Sequence, residues 1–106
     1  MLGTLQQLVM LAAVRLGDDA YGASIQDALE RAGRPVSIAT IYVTMERLEA
    51  DGLVRSWLGE PSATRGGKAR RHYAVTRAGT RALVAVRDEL RQAWRGLESH
   101  PAIAPR

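Results

Sequence analysis

The stretch AYGASIQDALERAGRPVSIATIYVTMERLEADGLV, residues 20–54, holds two amphipathic helices joined by a short polar turn, and its reading decides the fold. The first helix runs from about Tyr21 to Ala32, with Ile25, Ala28 and Leu29 on one face, and Gly33, Arg34 and Pro35 end it. Ser37 stands as N-cap of the second, Ile38 to Asp51, which Gly52 closes. Its apolar residues Ile38, Ile41, Met45 and Leu48 follow a 3-4-3 spacing and define the inward stripe. At 100° per residue the opposite face carries Ala39, Thr40, Val43, Glu46 and Arg47, with Tyr42 and Thr44 on its flanks. Two helices packed across a short turn make a helix-turn-helix, whose second helix can lie in the major groove of DNA.

Upstream, Leu5 to Leu16 reads as a further helix, with Thr4 as cap and Gly17 as stop. Leu5, Leu8, Val9, Ala12 and Leu16 form its stripe, which Met10 and Leu11 widen, so it is expected to be buried on most sides. Asp18, Asp19 and Ala20 form the turn that follows. Downstream lie two strand-like runs, Leu53 to Leu58 and Arg70 to Thr76. The second alternates, with Arg71, Tyr73 and Val75 on one face and His72 and Ala74 on the other. The connection Gly59 to Ala69 is long for a hairpin and reads as a wing. A last helix, from about Arg77 to Glu98 with Thr76 as N-cap, repeats Leu83, Val86, Leu90, Ala93 and Leu97 at 3-4-3-4, with Trp94 beside that seam. Such a seam suits pairing with a second copy; the alternative is an amphipathic helix packed on its own domain. Residues 99–106 read as a flexible tail.

The expected fold is therefore mainly α with a β-hairpin wing: a winged helix-turn-helix over residues 1–76 and a long C-terminal dimerisation helix over 77–98. Charge supports this layout. From Pro61 to Arg87 there are seven basic residues and no acid, whereas the rest of the chain has eight basic and eleven acidic residues. A basic segment within a mildly acidic body suits a polyanion partner, although a solvated charged face would look the same. Fourteen of the fifteen basic residues are arginine, which can fork phosphate and guanine edges.

Other classes fare worse. With 106 residues and no cysteine the chain is one domain without disulfides or thiolate sites. The two histidines, His72 and His100, lie far apart, which leaves a zinc site or catalytic triad hard to assemble. Gly66-Gly67-Lys68-Ala69 lacks the first glycine and the final hydroxyl residue of a phosphate loop. Neither enzymatic activity, a cofactor nor a metal is expected. Leu8 to Val14 is too short to span a bilayer and has no basic segment before it, so a cytoplasmic location without membrane attachment is expected.

The ordered marks also resemble a known family. Tyr21-Gly22, Thr40-Ile41-Tyr42, Arg47-Leu48-Glu49, Asp51-Gly52-Leu53 and Tyr73-x-x-Thr76-x-x-Gly79 are together similar to the PadR-like transcriptional regulators, as is Leu2 to Leu16 to that family's first helix. The resemblance covers nearly the whole chain up to Leu97, in the subfamily with a single C-terminal dimerisation helix. It implies a homodimer on a roughly palindromic double-stranded operator, acting as a repressor. It assigns Tyr42 to supporting the reading helix and reaching a phosphate, with a plain core role as the alternative. Candidate DNA contacts are thus Ser37, Ala39, Thr40, Tyr42, Val43, Thr44 and Arg47 from the helix, and Arg65, Lys68, Arg70 and Arg71 from wing residues 59–70. Candidate dimer contacts are Leu83, Val86, Leu90, Ala93, Trp94 and Leu97. Some members hold planar drugs between paired tryptophans of the last helix. Here Leu90 occupies the position where that aromatic is expected, and Trp94 lies one turn on, so Trp94 reads as packing and any small-molecule effector is of unknown identity. The competing reading is a winged helix that binds RNA or protein.

Overall fold

A computed structural model describes residues 2–60 and 69–104. Three helices, α1 (Thr4–Leu16), α2 (Gly22–Arg31) and α3 (Ile38–Ala50), precede an antiparallel hairpin of β1 (Val54–Leu58) and β2 (Arg71–Val75), and α4 (Arg77–Trp94) follows. This is the expected architecture of helices plus hairpin.

Each helix begins where side-chain chemistry supplies a partner for a free N–H. Gly3, one residue earlier than Thr4, caps α1, its N–H donating to Gln6 Oε1 at 2.9 Å. The Tyr21 N–H donates to Ser24 Oγ at 3.0 Å and opens α2. Ser37 Oγ accepts from the Thr40 N–H at 3.1 Å, and Thr76 Oγ1 accepts from the Gly79 N–H at 3.0 Å, so both sequence-based caps are observed. Such a cap stabilises a helix by about 1 kcal/mol.

The core lies where the first three helices meet the hairpin. Val9 and Met10 of α1, Ile25 of α2, and Ile41, Met45 and Leu48 of α3 are fully buried, with Val54 and Tyr73 closing it from the sheet. Burial of each such side chain favours folding by about 1.5–3 kcal/mol. The inward stripe of α3 thus points where its spacing placed it. On α1, in contrast, Leu11 and Val14 remain exposed, so that helix is covered on fewer sides than its composition suggested.

Two features depart from the sequence reading. First, α4 ends at Trp94, four residues short of Glu98, so Leu97 lies in the turn beyond it. Arg95 leaves the helical region with ψ 122°, and Gly96 takes φ +78°, a conformation that glycine adopts without a Cβ clash. Second, Ala20 and Tyr21 form a short third strip on the free edge of β2, through a bridge between Tyr21 and His72 and an N–H donated by Tyr73 to the Ala20 carbonyl at 2.9 Å. The hairpin is therefore tied to the start of α2 through the middle of β2.

Candidate nucleic-acid interface

Burial of Ile41, Met45 and Leu48 turns the other side of α3 outward. Ala39, Thr40, Val43, Glu46 and Arg47 are exposed there, and Val43 reaches 62% exposure. Thr44 is half-buried and donates its hydroxyl to the Thr40 carbonyl at 2.7 Å, while Ser37 and Thr40 share a hydroxyl hydrogen bond of 2.8 Å. Both threonine oxygens keep lone pairs for further donors. Val43, Thr44 and Arg47 also line a shallow groove with Leu5 and Gln6, so the first turn of α1 flanks the exposed face of α3. Sequence reasoning missed that neighbour, because no pattern within α1 records what its end touches.

Tyr42 packs its ring on a neighbouring helix without entering the core. Its ring lies against Gly22 so closely that a Cβ there would stand 2.7 Å from Cε1 and Oη, yet the residue stays 47% exposed. Gly22 is thus the residue that lets α3 seat its tyrosine on the first turn of α2.

The hairpin meets α3 through a polar relay. The Glu49 carboxylate accepts from the Ser56 N–H at 3.0 Å and from the Ser56 hydroxyl at 2.9 and 2.8 Å. Ser56 Oγ in turn accepts from Arg71 Nη1 at 3.0 Å. One carboxylate so caps the outer edge of β1 and sets the guanidinium of Arg71 beside α3. Glu49→Ala is expected to abolish exchange protection of the Ser56 amide, read by hydrogen exchange, while amides of the α3 interior keep theirs. Unchanged protection at Ser56 would mean that the relay contributes nothing to the wing.

Strand alternation sends Arg70 the other way. Its guanidinium lies 4.1 Å over the Tyr21 ring, and its buried Nε has no hydrogen-bond partner among the described residues. His72, on the same face, stacks on Trp57 with centroids 5.6 Å apart and planes at 17°, and meets Tyr21 edge-on at 5.7 Å. Arg55 covers Trp57 at 4.6 Å. This cation–aromatic ladder braces the hairpin on the side away from α3. The two neighbouring arginines are therefore not equivalent: Arg71 is exposed beside α3, and Arg70 is half-buried in the ladder. Arg65 and Lys68 lie outside the described residues.

Beneath Arg71, the phenol of Tyr73 has its pKa raised, chiefly by burial and then by the nearby Tyr42, Glu49 and Glu46, against a lowering by Arg71. It stays neutral and keeps its proton to donate. Among the described residues no group of three or more His, Cys, Asp or Glu is placed to hold a metal ion, and no helix is long and apolar enough to cross a membrane.

The seam on α4 divides at Val86. Leu83 packs against the core and Val86 is buried, but Leu90, Ala93, Trp94 and Leu97 are exposed, Leu90 by 49% and Trp94 by 45%. Beside them Leu11 and Val14 of α1 line an apolar groove with Leu83 and Val84.

Residues 10–85 match the model of the transcriptional regulator PadR-like family. The chain is 40% identical over 101 residues to the transcriptional regulator Rv3488 of Mycobacterium tuberculosis (strain ATCC 25618 / H37Rv), covering 86% of this chain and 91% of that protein. Among solved structures it is similar to a PadR family transcriptional regulator from Eggerthella lenta DSM 2243, with TM-score 0.67, 31% identity and coverage of 88% and 81% of the two chains. A PadR-like transcription factor from Bacteroides fragilis superposes with TM-score 0.66 at 29% identity, over 91% and 84%.

Proposed function

This chain belongs to the PadR-like family of transcriptional regulators, and from that membership we propose that two copies bind a roughly palindromic duplex DNA operator and repress transcription. It is a regulator and not an enzyme. In the proposed complex α3 lies in the major groove. Ala39 and Val43 meet thymine methyls, and Thr40, Thr44 and Arg47 make polar contacts to bases or backbone. Ser37 and Tyr42 lie at the edges of that surface, facing phosphates, and Arg71 with the wing residues Arg65 and Lys68 grips the backbone. Arg70 acts by holding the hairpin on Tyr21. Residues 1–76 form the DNA-binding unit and α4 the dimerisation element, in a protein that works in the cytoplasm.

The observation that carries this reading is the exposed face of α3 centred on Val43, weakly charged and flanked by an arginine poised on the hairpin. An apolar side chain reads bases and a guanidinium reads charge, so the two are expected to separate experimentally. Arg71→Ala should weaken binding to every duplex alike and reduce the salt slope by about one unit. Val43→Ala should leave that slope and change the ranking of operator variants. Gel shifts across salt concentrations on the gene's own upstream region make the test. Were the chain an RNA or protein binder, that region would compete no better than random duplex.

The homodimer is supported by the uncovered half of the α4 seam. Leu90, Trp94 and Leu97 lose contact with water only if a second surface covers them, and Leu11 and Val14 of α1 extend the same apolar area.

A further inference from the structure

The first turn of α1 stands beside the exposed face of α3. Leu5 and Gln6 line a groove of about 300 Å³ there, together with Val43, Thr44 and Arg47. The α1 side of that groove is anchored. Leu2 and Leu5 pack against the core, and the side-chain amide of Gln7 donates to the Leu2 carbonyl at 3.0 Å. Helix α1 carries no acidic residue, so none of its side chains repels a polyanion.

Of the two α1 residues in the groove, only Gln6 has a side chain that forms hydrogen bonds, and its amide has a fixed orientation. The Gly3 N–H can only donate, so the atom 2.9 Å from it is the acceptor Oε1. The end left for another partner is Nε2, a donor with two hydrogens. A group held in place before binding loses little freedom when it binds.

The dimensions of duplex DNA say what such a donor would meet. An α-helix with its side chains is about 10–12 Å across and the major groove about 12 Å wide, so a helix lying there reaches from wall to wall. An element that flanks the exposed face of α3 therefore meets the sugar–phosphate wall, where the acceptors are phosphate oxygens.

We propose that Gln6 is a further DNA-contacting residue, whose Nε2 donates to a backbone phosphate where the groove wall passes the start of α1. This rests on the DNA-binding reading above and adds a third element to the interface. The contact differs in kind from that of Arg71. It is uncharged, so it fixes where α3 sits on the duplex without displacing a counterion.

Gln6→Glu separates this role from that of a plain cap. A glutamate still accepts from the Gly3 N–H, as it does at this position of a capping box, but it has no donor and adds a negative charge. The intact protein and its Gln6→Glu and Gln6→Ala variants are titrated by fluorescence anisotropy with the gene's own upstream duplex and with random duplex, across salt concentrations. Gln6→Glu is expected to keep the wild-type melting temperature and to lose at least about a hundredfold in affinity for both duplexes at low salt. Gln6→Ala should lose about tenfold on both with the salt slope unchanged, because a neutral donor releases no counterion. It carries the test should the glutamate variant melt early. Wild-type affinity in Gln6→Glu reduces Gln6 to a cap and overturns the contact alone. A changed ranking of operator variants in Gln6→Ala would put the amide on a base edge and overturn the phosphate assignment. A wild-type protein that binds neither duplex overturns the DNA-binding reading, and this contact with it.

Discussion

Gly79→Ala is expected to lower the melting temperature by about 12–24 °C, the largest loss of stability from one added carbon in this chain. A Cβ at Gly79 would collide with the carbonyl oxygen of Leu53 and stand 2.7 Å from Cγ1 of Val75. Val75 can turn, but the Leu53 backbone cannot retreat. Its carbonyl accepts from the Thr76 N–H at 3.0 Å and its own N–H donates to the Leu48 carbonyl at 2.9 Å. Helix α4 must move instead, which breaks the Thr76 cap and the bond from Thr76 Oγ1 to the Gly52 carbonyl at 2.7 Å. Overpacking of about 1–3 kcal/mol and a lost cap of about 1 kcal/mol sum to about 3 kcal/mol. Each kilocalorie shifts the midpoint by about 4–8 °C in a domain of this size. Thr76→Ala, which removes the cap and leaves the packing, should cost only about 1 kcal/mol. Calorimetry at one fixed protein concentration reads both. A shift below about 4 °C for Gly79→Ala would mean that the corner between hairpin and α4 gives way easily.

The largest effect on binding is expected from Leu90→Arg. Leu90 lies past the last buried residue of α4 and is half-exposed in the single chain, so the folded domain loses little when it changes. A guanidinium facing its own symmetry mate would instead be desolvated without a partner, which an apolar helix pair does not tolerate. Sedimentation should give the mass of one chain. Affinity for a full operator should fall by at least about a hundredfold, because two linked half-sites become two independent ones. Affinity for an isolated half-site should be unchanged. A variant that sediments as a dimer would place the pairing surface elsewhere, with the Leu11–Val14 face of α1 as the next to test.

What could be read before folding was whatever lives on one element. The inward residues of α3 were legible because Ile41, Met45 and Leu48 recur at helical spacing between a serine cap and a glycine stop. The alternation of Arg71 and Tyr73 against His72 was legible in the strand pattern. That Arg70 stacks on Tyr21 was not, since the ring comes from a distant segment and no local pattern announces it. The end of α4 was misplaced for a different reason. An isolated glycine costs a helix only about 1 kcal/mol, so Gly96 is a weak stop signal beside the strong repeat of Leu83 to Leu97, yet the chain turns there. Gly22 and Gly79 could be noticed as parts of motifs. Their reasons, a tyrosine ring and a carbonyl oxygen, belong to other elements. The cleft that Tyr42 and Glu46 of α3 form with Leu58 and Tyr73 of the hairpin was illegible for the same cause, because its walls come from separate elements.

The bond between Ala20–Tyr21 and β2 has a kinetic consequence. Helix pairs α1–α2 and α2–α3 join neighbours in the chain, and such local contacts form early. The Tyr21–His72 bridge must close a loop that contains α2, α3 and all of β1, so its ordering entropy is spent only after those helices are in place. The hairpin is then the last part to assemble and the first to open from the native state. Because Val54 and Tyr73 close the core from the hairpin, such an opening would uncover part of that core, so it is expected to be brief. In the proposed DNA complex the protein would then lose and regain its hold on the duplex by local opening, faster than by global unfolding.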